Sequence, residues 1–91
     1  MRYFRTARFH RAFRSLDRER QTRVERAMRQ IQTLFDTGQL PTGLGLKPLR
    51  ADCWEVRAGL ADRIIFRRTG GLVEFLLVGN HDEIRQFLKS H

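Results

Sequence analysis

Apolar positions along the chain change their spacing twice. Between Thr6 and Leu16, the residues Phe9, Ala12, Phe13 and Leu16 recur at the three-and-four interval of an α-helix, with Arg8, Arg11 and Arg14 on the other side. Asp17 then offers an N-cap to a longer second helix reaching about Asp36, and Gly38 sits just past its end. Val24, Ala27, Met28, Ile31, Leu34 and Phe35 fall within an arc of about 120° at ~100° per residue, with Arg26 and Arg29 away from it. The connection Ser15–Arg18 is short, which predicts an antiparallel helical hairpin.

Gly38, Pro41, Gly43, Gly45 and Pro48 then break all periodicity, giving a long irregular connector that ends in Lys47-Pro48-Leu49-Arg50. Connectors of that length are often functional or mobile. From Cys53 the period becomes two: Trp54, Val56 and Ala58 alternate with Cys53, Glu55 and Arg57. After a break at Gly59–Asp62, Ile64 and Phe66 alternate with Arg63, Ile65 and Arg67, and Gly70-Gly71 marks a hairpin turn. Leu72 to Val78 is apolar on both faces apart from Glu74, as suits a strand inside a sheet. Gly79 ends it, and Asn80-x-x-Glu83 reads as a capping box opening a short helix whose Ile84, Phe87 and Leu88 face inward. Tyr3–Arg5 has the length of an edge strand only.

These elements predict one α+β domain over residues 1–91: an N-terminal antiparallel helical hairpin on one face of a small, mainly antiparallel sheet, with a short C-terminal helix. Trp54, Val56, Ile64 and Phe66 are expected to face the hairpin. Glu55, Arg57, Arg63 and Arg67 would then share an open, charged face.

Composition sharpens that picture. With 91 residues, 41% of them hydrophobic, the chain can build one core and no more. The single cysteine, Cys53, excludes an internal disulfide framework and a CxxC knuckle, and points to a reducing compartment. No run approaches the ~20 apolar residues of a membrane helix. Eighteen Lys and Arg against ten Asp and Glu give a net charge of +8. Sixteen of those cations are arginines, and the whole excess lies in residues 1–50. Arginine forks onto phosphate and carboxylate, so the balance points to a polyanionic partner. Five arginines within Met1–Leu16 resemble a mitochondrial transit peptide, but the same spacing continues past any plausible cleavage point.

The chemistry must come from the charged sheet face. Walker, GxGxxG, HExxH and GxSxG motifs are absent, and His10, His81 and His91 are too dispersed for a metal site, so no metal and no cofactor is expected. Arginines with a glutamate and a nearby histidine suit metal-free RNA cleavage. There a base takes the 2′-hydroxyl proton, an acid protonates the leaving 5′-oxygen, and cations stabilise the phosphorane. Glu55 or His81 supplies the proton transfer. Plain structural roles stand beside these. Arg63 has Asp62 and Glu74 as possible ion-pair partners, Glu55 has Arg57, His81 belongs to a helix cap, and the helix arginines form a solvated face.

Four segments in order carry a family resemblance: Leu46-Lys47-Pro48-Leu49-Arg50, Cys53-Trp54-Glu55-Val56-Arg57, Asp62-Arg63-Ile64-Ile65-Phe66 and Val78-Gly79-Asn80-His81-Asp82-Glu83. Together with the basic hairpin they resemble the RelE/ParE toxin superfamily, over nearly the whole chain. The resemblance implies the toxin of a bacterial type II toxin–antitoxin pair, in the cytoplasm, with a small acidic antitoxin as partner. RelE members cleave mRNA on the ribosome, whereas ParE relatives inhibit DNA gyrase. It further implies that Arg63 contacts the scissile phosphate, that Arg57 fills a basic position of the family, that His81 takes the place of a catalytic group, and that Arg50 binds RNA. By their charge, Arg57 is expected to join Arg63 at the phosphate, and Lys47 and Arg67 to hold RNA with Arg50. Glu55 stands where RelE has a catalytic lysine, and no tyrosine follows His81, so proton transfer would fall to a His/Glu scheme. A gyrase inhibitor and a non-catalytic basic binding module are the alternatives.

Overall fold

The computed structural model describes residues 1–90. Its elements are β1 (Arg2–Arg5), α1 (Ala7–Arg14), α2 (Arg18–Thr37), β2 (Lys47–Pro48), β3 (Cys53–Ala58), β4 (Asp62–Thr69), β5 (Leu72–Gly79) and α3 (His81–Ser90). The five strands lie in the order β1-β5-β4-β3-β2. All neighbours are antiparallel except β1, which runs parallel to β5 at one edge.

The helix ends follow from their capping residues. Thr6 accepts a hydrogen bond from Phe9 N at 3.1 Å and donates its own hydroxyl to Leu76 O, so the cap also ties α1 to β5. Asp17 accepts from Arg20 N at 2.9 Å. Gly38 closes α2 in the left-handed conformation, φ +76°, with its N–H on Leu34 O, a geometry open to glycine without a Cβ penalty.

Phe9, Leu16, Val24, Ala27, Met28 and Ile31 of the hairpin segment pack on Val56, Ala58, Ile64, Phe66, Val73, Phe75 and Val78, with Trp54 half-buried beside them. This is the expected helical face of the sheet. A second, smaller core lies on the opposite face, where Ile84 and Phe87 of α3 cover Ile65 and Leu77. The face expected to be open is therefore covered along its middle. A β-bulge makes this possible: Ile65 pairs with Leu77 but Phe66 with Phe75, leaving Leu76 extra. Val73, Phe75 and Val78 thus stay with the hairpin, while Leu76 and Leu77 turn toward α3. The sequence assigned α3 its inward residues but not the surface they cover.

Two polar ties close the fold. Arg20 of α2 makes a bidentate ion pair with Asp62 at the start of β4, Nε to Oδ2 at 2.8 Å and Nη2 to Oδ1 at 2.6 Å, and the Asp62 side chain has no exposed area. Tyr3 of β1 donates its hydroxyl to Asp36 Oδ1 at the far end of α2. Burial, the hydrogen bond to Asp36 and the charge of Asp36 push the Tyr3 phenol up to about 12. A folded pKa above the unfolded value of 10.0 means that the stability from this hydrogen bond is fully present below pH 10 and disappears as pH rises through about 12. Tyr3 is the single tyrosine, so the near-ultraviolet phenolate band follows it alone. We expect a titration midpoint close to 12, and the Tyr3→Phe variant to lack the stability change across that window. A midpoint near 10 would contradict the Tyr3–Asp36 hydrogen bond.

Candidate functional site

Three strands bring four charged side chains together at one end of the α3 face. Lys47 of β2 lies opposite Glu55 of β3, and Arg57 of β3 lies opposite Arg63 of β4. Like charges directly opposite across a strand pair repel. Glu55 offsets this: it is only 7% exposed, and its Oε2 accepts from Arg63 Nη1 at 3.0 Å. Three cations and one buried carboxylate thus occupy neighbouring positions of this sheet end, an excess of positive charge where a further anion would be stabilised.

The partners differ from those the sequence offered. Arg63 pairs with Glu55, while Asp62 goes to Arg20 and Glu74 to Arg67. Arg57, exposed at the strand end, lies against Gly45 of the connector. A Cβ at Gly45 would stand 2.8 Å from Arg57 Nε, and its φ of +67° disfavours other residues as well. The connector is held at this point because Leu44 is buried and its carbonyl accepts from Arg57 N.

Arg67 and Arg50 lie elsewhere. Ile65, covered by α3, separates Arg63 from Arg67 along β4. Arg67 donates to Glu74 Oε1 at 3.0 and 3.3 Å, and Arg50 donates to Leu88 O near the C-terminal end of α3 at 3.1 Å. Both line a cleft with Cys53, Leu76, Phe87 and Leu88; burial pushes the Cys53 thiol up. The turn between β2 and β3 places Ala51 and Asp52 at φ +58° and +61°, the geometry of a tight hairpin turn.

His81 begins α3, two residues beyond Gly79, which is the register partner of Arg63. It is exposed, and the capping box is made by its neighbours: Glu83 N donates to Asn80 Oδ1 and Asn80 N to Glu83 Oε1, each at 2.9 Å. Of the seven site residues expected from sequence, Lys47, Glu55, Arg57 and Arg63 form one group, with His81 at the adjoining end of α3. Arg50 and Arg67 form another. Leu44, Gly45 and the Arg20–Asp62 pair were missed, since nothing local to them signals a partner across the fold.

No family model and no curated protein matches the chain in sequence. Solved structures do match in shape. The structure of YafQ from E. coli strain BL21(DE3) aligns with a TM-score of 0.65 at 16% identity, covering 92% of this chain and 98% of that one. The RelB–RelE antitoxin–toxin complex from Methanococcus jannaschii aligns at TM-score 0.70 and 15% identity, over 92% and 96%. For the YoeB/ParE toxin from Agrobacterium tumefaciens the values are 0.68 and 18%, over 89% and 99%. The chain has the fold of the RelE-like toxins. In this RelE-like fold the basic hairpin lies behind the sheet and the charged quartet in front. Within the quartet a carboxylate that can accept a proton accompanies two guanidinium groups that can fork onto a phosphate.

Proposed function

We propose that this protein is the toxin of a bacterial type II toxin–antitoxin pair and acts as a ribosome-dependent, metal-independent mRNA endoribonuclease that inhibits translation. One observation carries the reading: Arg57 and Arg63 are register partners, Glu55 two residues along β3 accepts from Arg63, and His81 stands at the adjoining helix start. In this scheme the two guanidinium groups hold the scissile phosphate and take up the charge of the phosphorane. Arrival of that phosphate draws Arg63 from Glu55. Glu55 and His81 then share proton transfer from the 2′-hydroxyl and to the leaving 5′-oxygen. Lys47 extends the same patch, while Arg50 and Arg67 meet the RNA on the far side of α3. A small acidic antitoxin in the bacterial cytoplasm would neutralise the basic surface.

The decisive experiment adds the purified protein to translating ribosomes and maps mRNA ends, with gyrase supercoiling assayed alongside. Discrete new 5′ ends that disappear in Arg63→Ala and His81→Ala are the expected result. Gyrase inhibition with intact mRNA would assign the fold a different target, and neither effect would leave a binding module.

A further inference from the structure

A second cationic cleft opens at the Arg57 end of β3, between α2 and the connector. Arg23, Arg26 and Gln30 of α2 form one wall, and Gly43, Arg57 and Gly59 form the other, around a space of about 270 Å³. Its walls depend on glycine: a Cβ at Gly59 would stand 2.6 Å from Arg23 Cδ. What distinguishes this cleft is its charge. The groove between α1 and α3 sets Arg8 and Arg11 against Asp82 and Glu83. The cleft at the far end of the sheet sets Arg2 and Arg67 against Asp52 and Glu74. Arg50 and Arg67 are already engaged by Leu88 O and Glu74. Among the described residues, no carboxylate lines the α2 cleft. Only the exposed Glu19 approaches Arg23, at 4.0 Å along the helix. Three arginines lining one small cleft concentrate positive charge there, which an external anion would offset.

We infer that Arg23, Arg26 and Arg57 form a second phosphodiester subsite for the RNA strand whose scissile phosphate lies between Arg57 and Arg63. Arg57 belongs to both groups of residues, so a strand leaving the first site past Gly45 meets the cleft directly. The lining favours RNA over an acidic peptide: apart from Ala27 and Ala58 it has no apolar wall on which a helix or strand would anchor. Planar, bidentate donors suit phosphate oxygens. The subsite rests on the proposed RNA-cleaving function and adds to it where the strand runs.

The test is fluorescence anisotropy with a labelled single-stranded RNA whose 2′-hydroxyls are replaced by hydrogen, over a salt series. The double variant Arg23→Ala/Arg26→Ala is expected to bind about tenfold more weakly, and its plot of log affinity against log salt to flatten by about 0.7 for each phosphate it no longer neutralises. Arg29→Ala, exposed on the same helix outside the cleft, is expected to change affinity less than about twofold. Arg23→Lys/Arg26→Lys should restore much of the salt slope and so exclude misfolding. Equal weakening in Arg29→Ala and the double variant would overturn the subsite in favour of a diffuse field. Unchanged RNA binding in the double variant would also overturn it, as would weakening confined to a poly-glutamate probe. In each of those cases wild-type RNA binding remains and the nuclease reading stands. A wild-type protein that does not bind the strand at all would overturn the subsite, while the nuclease reading is decided separately by end-mapping on translating ribosomes.

Discussion

Replacing Arg63 with alanine is expected to lower mRNA cleavage on translating ribosomes by ~10²–10³, the usual drop when one preorganised donor to a developing oxyanion is removed. The reason is geometric. Arg63 and Arg57 are register partners on adjacent strands, so in the proposed site they would approach one phosphate from two sides, and a lone guanidinium would not replace both. Stability should fall as well, because Glu55 stays buried and loses the donor at 3.0 Å; an unsatisfied buried group of this kind costs about 1–3 kcal/mol. Arg63→Lys separates the two effects. It keeps a cation beside Glu55 and should recover most of the stability, but it lacks the fork and should recover only part of the cleavage. End-mapping and urea unfolding of the same three proteins read both quantities. A folded Arg63→Ala protein that cleaves like wild type would end the assigned role of Arg63.

The largest stability effect is expected at a residue far from that chemistry. Arg20→Ala leaves the fully buried Asp62 carboxylate without its bidentate partner, and breaking a buried pair in that way costs about 3–5 kcal/mol. The reverse substitution, Asp62→Ala, should cost less. It leaves behind Arg20, whose side chain is 31% exposed and can turn toward water. The double variant should be more stable than Arg20→Ala alone, since no unpaired charge then remains inside. Urea unfolding of the three variants checks the order. Equal costs for the two single substitutions would show that the carboxylate is not desolvated as its zero exposure implies. Since small domains have only about 5–15 kcal/mol in total, Arg20→Ala should bring this one close to unfolding at physiological temperature.

How much of this was legible beforehand depended on whether a signal was local. The caps at Asp17, Gly38 and Asn80 and the helical and two-residue periods are carried by neighbouring residues, and both helices of the hairpin and the three long strands appear where those signals lie. Strand β2 was hidden because two residues followed by Leu49 and Arg50 have no period to read. The parallel pairing of β1 with β5 joins residues about seventy positions apart, and nothing in Tyr3–Arg5 specifies it. At the candidate site, alternation alone placed Glu55, Arg57, Arg63 and Arg67 on one face. Their division into two groups came from Ile65 and Leu77, whose apolar surface calls for a cover that α3 provides.

By itself, the order of residues determined the three helices and the three long strands, which side of β3 and β4 is charged, and that an excess of arginine calls for an anion. Tertiary structure alone decided who pairs with whom: Arg63 with Glu55, Arg67 with Glu74, Arg20 with Asp62. The division has a physical basis. Local propensity and amphipathic spacing act over a few residues, whereas an ion pair depends on the distance between side chains that only register, the β5 bulge and the docking of α3 bring together.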